Sequence, residues 1–89
     1  MTAAAQRSKA EVDALYRRAV DTLRVTDNMI NLWPTAHEPY GLWDASMELE
    51  LAIMTYHRPI TNERTFNALR DAIRHAEAEI DKYKRQVRG

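Results

Sequence analysis

From Phe66 onward, apolar residues return every three or four positions: Phe66, Leu69, Ile73, Ala76, Ile80, Tyr83 and Val87 are separated by 3, 4, 3, 4, 3 and 4 residues. That spacing keeps one stripe of a helix facing one way over three heptads. Thr61 or Asn62 can cap this helix, Glu63 sits in its first turn, and basic residues crowd its last turn, where the dipole favours cations. A helix over about 62–87 follows.

A similar rhythm runs near the start. Val12, Tyr16, Ala19, Leu23, Thr26, Ile30 and Trp33 lie 4, 3, 4, 3, 4 and 3 residues apart, with Leu15, Val20 and Met29 beside them. Ser8 and Glu11 have the S-x-x-E form of a capping box, which marks where this helix begins. Pro34 ends it, because the residue before a proline is pushed out of the α region. The expected span is about 9–33.

The middle of the chain carries a different pattern. Pro34 to Gly41 reads as a connection, and a helix over about 42–57 follows, with Gly41 as its cap, Asp44 in its first turn and Pro59 as its stop. Projected at 100° per residue, Leu42, Leu49, Ile53 and Tyr56 form one apolar stripe, and Trp43, Met47, Leu51 and Met54 form another. Ser46, Glu50 and His57 run between the stripes, and Asp44, Glu48 and Thr55 make the solvated side. Helices of about 24 residues reach about 36 Å, whereas the central one reaches about 24 Å. The expected architecture is all-α, an antiparallel three-helix bundle with two long helices and a short one between them. Residues 1–8 read as a flexible N-terminal segment and 9–89 as one helical domain.

Composition narrows the functional classes. Thirteen basic and thirteen acidic side chains cancel, which removes any overall field toward nucleic acid or an anionic membrane. With no cysteine there is no disulfide framework and no thiolate metal site. No apolar run approaches the roughly 18 residues of a membrane span, and no signal-peptide stretch opens the chain, so the cytoplasm is the expected location.

Candidate chemistry is sparse. Glu50 and His57 lie two turns apart on one side, yet no His-Glu-x-x-His, Glu-x-x-His or glycine-rich phosphate loop accompanies them. Arg70 to His75 match the R-x4-H pattern of ribonucleases of the HEPN class, which are also helical. Residues five apart on a helix point about 140° from each other, so the pair would need a helix irregularity or a second subunit to cooperate. Lys82, Lys84, Arg85 and Arg88 make a basic end to the last helix, with Tyr83 among them. They would serve a nucleic-acid-binding regulator, although the dipole alone accounts for cations there.

Both tryptophans and Tyr40 fall within the 33–43 connection or at its end, among Pro34, His37 and Pro39. Aromatic anchors carry much of the binding energy of protein interfaces. Two long helices can cover one stripe of the central helix and leave the other open. The expectation is a non-enzymatic protein-interaction module, an adaptor, regulatory subunit or inhibitor, binding a protein partner or a second copy as a homodimer. Its contact residues would be Trp33, Tyr40, Trp43, Met47, Glu50, Leu51 and Met54. No cofactor, metal or small-molecule substrate is expected. A helical nucleic-acid-binding regulator and a small HEPN-like ribonuclease are the alternatives.

Overall fold

Ser8 begins the first helix as its spacing to Glu11 requires: the Glu11 N–H donates to the Ser8 hydroxyl at 3.1 Å, and the Ser8 N–H donates back to the Glu11 carboxylate at 3.3 Å. Two N–H groups that a first turn leaves unpaired are thereby satisfied. The computed structural model describes residues 8–33, 39–56 and 63–88. It contains α1 (Lys9–Asn31), α2 (Tyr40–Met54) and α3 (Glu63–Arg88), each packed on the other two, an all-α three-helix bundle. The connections expected around His37, His57, Pro59 and Thr61, and the segment before Ser8, lie outside the described residues.

Cross-links between helices give their directions. Tyr56, just past the end of α2, donates its hydroxyl to the Val12 carbonyl near the start of α1 at 3.0 Å, while Ser46 donates to Asp27 further along α1 at 2.8 Å. Gly41 at the start of α2 bonds to Tyr83 late in α3, and Glu48 meets His75 about two turns earlier in α3. Thus α2 runs antiparallel to both neighbours. Trp33 packs against Tyr83 and Arg18 pairs with Glu77, so α1 and α3 point the same way.

The core follows the stripes. Val12, Leu15 and Ala19 of α1, Leu42, Ala45 and Leu49 of α2, and Phe66, Leu69, Ala72, Ile73 and Ala76 of α3 are buried, closed at one end by Tyr56. Tyr56 also stacks on Tyr16, with ring centres 6.3 Å apart and planes at 18°. Burying each aliphatic side chain contributes about 1.5–3 kcal/mol, so this stripe dominates stability. Two threonines, Thr22 and Thr26, share the interior because their hydroxyls donate to the carbonyls four residues back, Arg18 at 2.7 Å and Thr22 at 2.8 Å. The α3 stripe is fully buried only as far as Ala76. Ile80 and Tyr83 are half-buried, where the chain leaves α1 and enters α2.

Three boundaries differ from the sequence pattern by two residues or more. Helix α1 stops at Asn31 rather than Trp33: Leu32 caps it at φ −104°, ψ 16°, and the Trp33 N–H reaches only three residues back, to Ile30. Pro34 exerts its restriction one residue early, on Trp33 itself. Helix α2 starts at Tyr40 rather than Leu42, because the Pro39 carbonyl already accepts the Trp43 N–H at 3.0 Å. It ends at Met54 rather than His57. Thr55 caps it, and its hydroxyl donates to the Ala52 carbonyl at 3.2 Å, which competes with the helical ladder.

Gly41 is therefore no cap; it is the second residue of α2. Its role is close approach: a Cβ there would overlap the Glu79 carboxylate and lie 3.1 Å from the Tyr83 ring. Asp44 is displaced beyond the first turn and Pro39 offers no side-chain cap, so among the described residues α2 has no acidic side chain of its own in its first turn. Helix α3 provides the substitute. Glu79 lies against that end, and the Gly41 N–H donates to the Tyr83 hydroxyl at 3.2 Å.

Candidate protein-docking face

Five apolar side chains of α2 stay in solvent: Tyr40 is 63% exposed, Trp43 37%, Met47 69%, Leu51 62% and Met54 71%. Their separations of 3, 4, 4 and 3 residues keep them within about 80° of the helix circumference, and the row is about 21 Å long. Tyr40 and Trp43 meet edge to face at 5.4 Å. Leu42, Ala45 and Leu49 occupy the opposite side of the same helix and are fully buried. The two stripes of the central helix thus part as their projection implies, one into the core and one to the surface.

Acidic side chains border the row on both sides. Glu48 bonds to His75 at 2.7 Å, so the flank holding Asp44 and Glu48 turns toward α3. Ser46 bonds to Asp27, so the flank holding Ser46 and Glu50 turns toward α1. Asp44, Glu48 and Glu50 are exposed, and none of the 15 residues of α2 is basic. A net charge of zero for the chain therefore conceals that the helix carrying the row has, of charged side chains, acidic ones alone.

Of the seven residues expected to bind a partner, six come together here: Tyr40, Trp43, Met47, Leu51 and Met54 in the row, and Glu50 at its edge. Trp33 is not part of the row. It is half-buried and packs edge to face on Tyr83 at 5.1 Å and 74°, helping to close the end of the bundle. Trp43, by contrast, is on the outward side. Asp44 and Glu48 join Glu50 as a border that the sequence pattern does not single out. Tyr40 is singled out in the sequence as an aromatic of the connection; its spacing of three residues before Trp43 counts only because the helix begins ahead of Gly41.

The groups considered for catalysis take other partners. Arg70 Nε lies 3.5 Å from Asp71, whereas His75 is held by Glu48 at 2.7 Å with Glu79 3.9 Å from its other ring nitrogen. The histidine ties α3 to α2. In the other candidate pair, Glu50 is exposed on α2 and its companion His57 lies outside the described residues. Among the described residues, no three His, Cys, Asp or Glu side chains are arranged to hold a metal ion, and no helix is long and apolar enough to cross a membrane. At the basic end of α3, Lys82, Lys84 and Arg85 are exposed; Lys82 sits 5.6 Å over the Tyr83 ring and Arg85 lies 3.3 Å from Asp81.

Comparison of the chain with protein-family models, with curated proteins and with solved structures found no match.

Proposed function

We propose that this protein is a small interaction module, an adaptor, regulatory subunit or inhibitor, that works by binding another protein through the outward face of α2. The observation that carries this reading is the contiguous row from Tyr40 to Met54 on a helix whose other side fills the core. Scattered exposed apolar residues are ordinary, as Val25 and Leu32 illustrate here, but a row of five on one helix is a patch of the kind that marks interaction sites. Two of the five are aromatic, and methionine adapts its shape to a partner. Its action would be cytoplasmic and without a cofactor or a reaction of its own.

Affinity purification from native cells tests this, comparing the natural chain with the variant carrying Met47→Glu and Leu51→Glu. Both substitutions are on exposed positions, so the variant keeps its fold and loses the proteins that the natural chain retains. Identical retained sets, together with a natural chain that stays monomeric over a wide concentration range in light scattering, would overturn the reading.

A second reading has the exposed Lys82, Lys84 and Arg85 in its favour: a regulator that holds nucleic acid at the end of α3. It requires affinity that falls steeply with salt and disappears on Lys84→Gln with Arg85→Gln. Absence of any mobility shift at low salt disposes of it.

A further inference from the structure

The shape and the borders of the α2 row specify what would cover it. We propose that its occupant is an amphipathic helix of another protein, one whose apolar stripe is flanked by lysine or arginine. This deepens, and rests on, the reading of α2 as a docking face.

Shape comes first. The row is one column of side chains, four turns long and about 80° wide. A broad globular surface would meet it only along that line, whereas a helix laid alongside presents anchors at the same three- and four-residue spacing and completes a fourth member of the bundle. Its anchors would fill the spaces between Tyr40, Trp43, Met47, Leu51 and Met54, with the Tyr40 and Trp43 rings at one end and the two methionines and Leu51 toward the other.

Charge then selects among helices. Asp44 and Glu48 border the row on the α3 side and Glu50 on the α1 side, and α2 has no basic residue to offset them. Side chains bordering a helix seam face the borders of the partner helix, and opposite signs there favour the pairing. The same geometry disfavours a second copy docked row to row. A two-fold axis brings each border onto itself when the helices run antiparallel and onto the other border when they run parallel. Both borders are acidic, so carboxylates oppose carboxylates in either arrangement. A helix flanked by Lys or Arg reverses both contacts from repulsion to attraction, and its long alkyl stems extend the apolar cover over the row's edges.

Two synthetic peptides of roughly 18 residues, enough for five turns, test this. They share one leucine stripe and differ only in carrying lysine or glutamate at the flanking positions. Each is titrated with the full chain and followed by fluorescence anisotropy, at low salt and at about 0.5 M salt. The lysine-flanked peptide should bind with a Kd at least about tenfold below that of the glutamate-flanked one, and the gap should narrow in high salt. Leu51→Glu should abolish binding, and Asp44→Asn with Glu50→Gln should remove most of the preference while circular dichroism stays unchanged. Equal binding of the two peptides overturns the charge selection and leaves the docking face standing. If neither binds, the proposed occupant is wrong. Sedimentation equilibrium then shows whether a dimer sensitive to Leu51→Glu takes its place, and the purification with Met47→Glu and Leu51→Glu decides separately whether α2 docks a protein at all.

Discussion

The two sides of α2 are nearly equal in apolar content and opposite in fate. Leu42, Ala45 and Leu49 have no contact with solvent, while Met47, Leu51 and Met54 each keep well over half of their surface. The difference is set by what lies opposite. On the inner side, α1 and α3 present Val12, Leu15, Ala19, Leu69, Ile73 and Ala76, and the alanines among them let the backbones come close. On the outer side nothing of the described chain stands across from the row. Apolar character alone therefore says little about where a residue ends up in so small a bundle; the number of neighbouring helices decides.

Truncation separates the two sides most sharply. Leu49→Ala should cost about 2–5 kcal/mol in urea unfolding, the range for a buried leucine whose cavity does not collapse, whereas Leu51→Ala should change stability by no more than about 0.5 kcal/mol. A large loss for Leu51→Ala, concentration-dependent in the unfolding midpoint, would mean that the outer side is covered by a second copy in solution. Gly41→Leu attacks the inner side at its upper end, where the Glu79 carboxylate and the Tyr83 ring leave no room; a loss of about 1–3 kcal/mol is expected. Adding Glu79→Ala should recover part of it, because one of the two obstacles is then removed. At the lower end, Tyr56→Phe deletes the hydroxyl that reaches the Val12 carbonyl and should cost about 1 kcal/mol in thermal unfolding. A small effect also belongs to a contact that does not involve α2. Arg18 and Glu77 form two parallel bonds, at 2.7 and 3.2 Å, with both side chains about half exposed, and a double-mutant cycle with alanine should give about 0.2–1 kcal/mol, shrinking in salt.

The helices were legible from spacing because a three-four rhythm admits one secondary structure, and the S-x-x-E box fixed the start of α1 to the residue. The separation of α2 into inner and outer stripes was equally legible, since it depends only on 100° per residue and on there being two other helices. What the pattern could not carry was the detail of α2's ends. Gly41 resembles a cap when the sequence is read locally; inside the helix, its lack of a side chain serves Glu79 and Tyr83, residues about 40 positions away. Thr22 and Ala72 were missed as interior residues for a related reason. Their burial comes from the way α1 and α3 are turned toward each other, and a threonine's polarity conceals that its hydroxyl can be satisfied by its own helix. Tyr40 reads from the sequence as part of the connection; its place in the row and its ring pair with Trp43 depend on a helix start that proline, usually read as a break, supplies here through its carbonyl.

The borrowed anion and hydroxyl at the start of α2 also order events during synthesis. Helix α1 brings its own cap and can begin to form as soon as its residues leave the ribosome. Helix α2, at 15 residues, is at the length where an isolated helix is marginal in water, and the groups of α3 that lie against its start, Glu79 and Tyr83, are made about 40 residues after Gly41. Until they emerge, Tyr40 to Met54 is a nascent stretch with both apolar stripes uncovered. The newborn chain is thus open to premature association during the interval between the emergence of α2 and that of Glu79 and Tyr83.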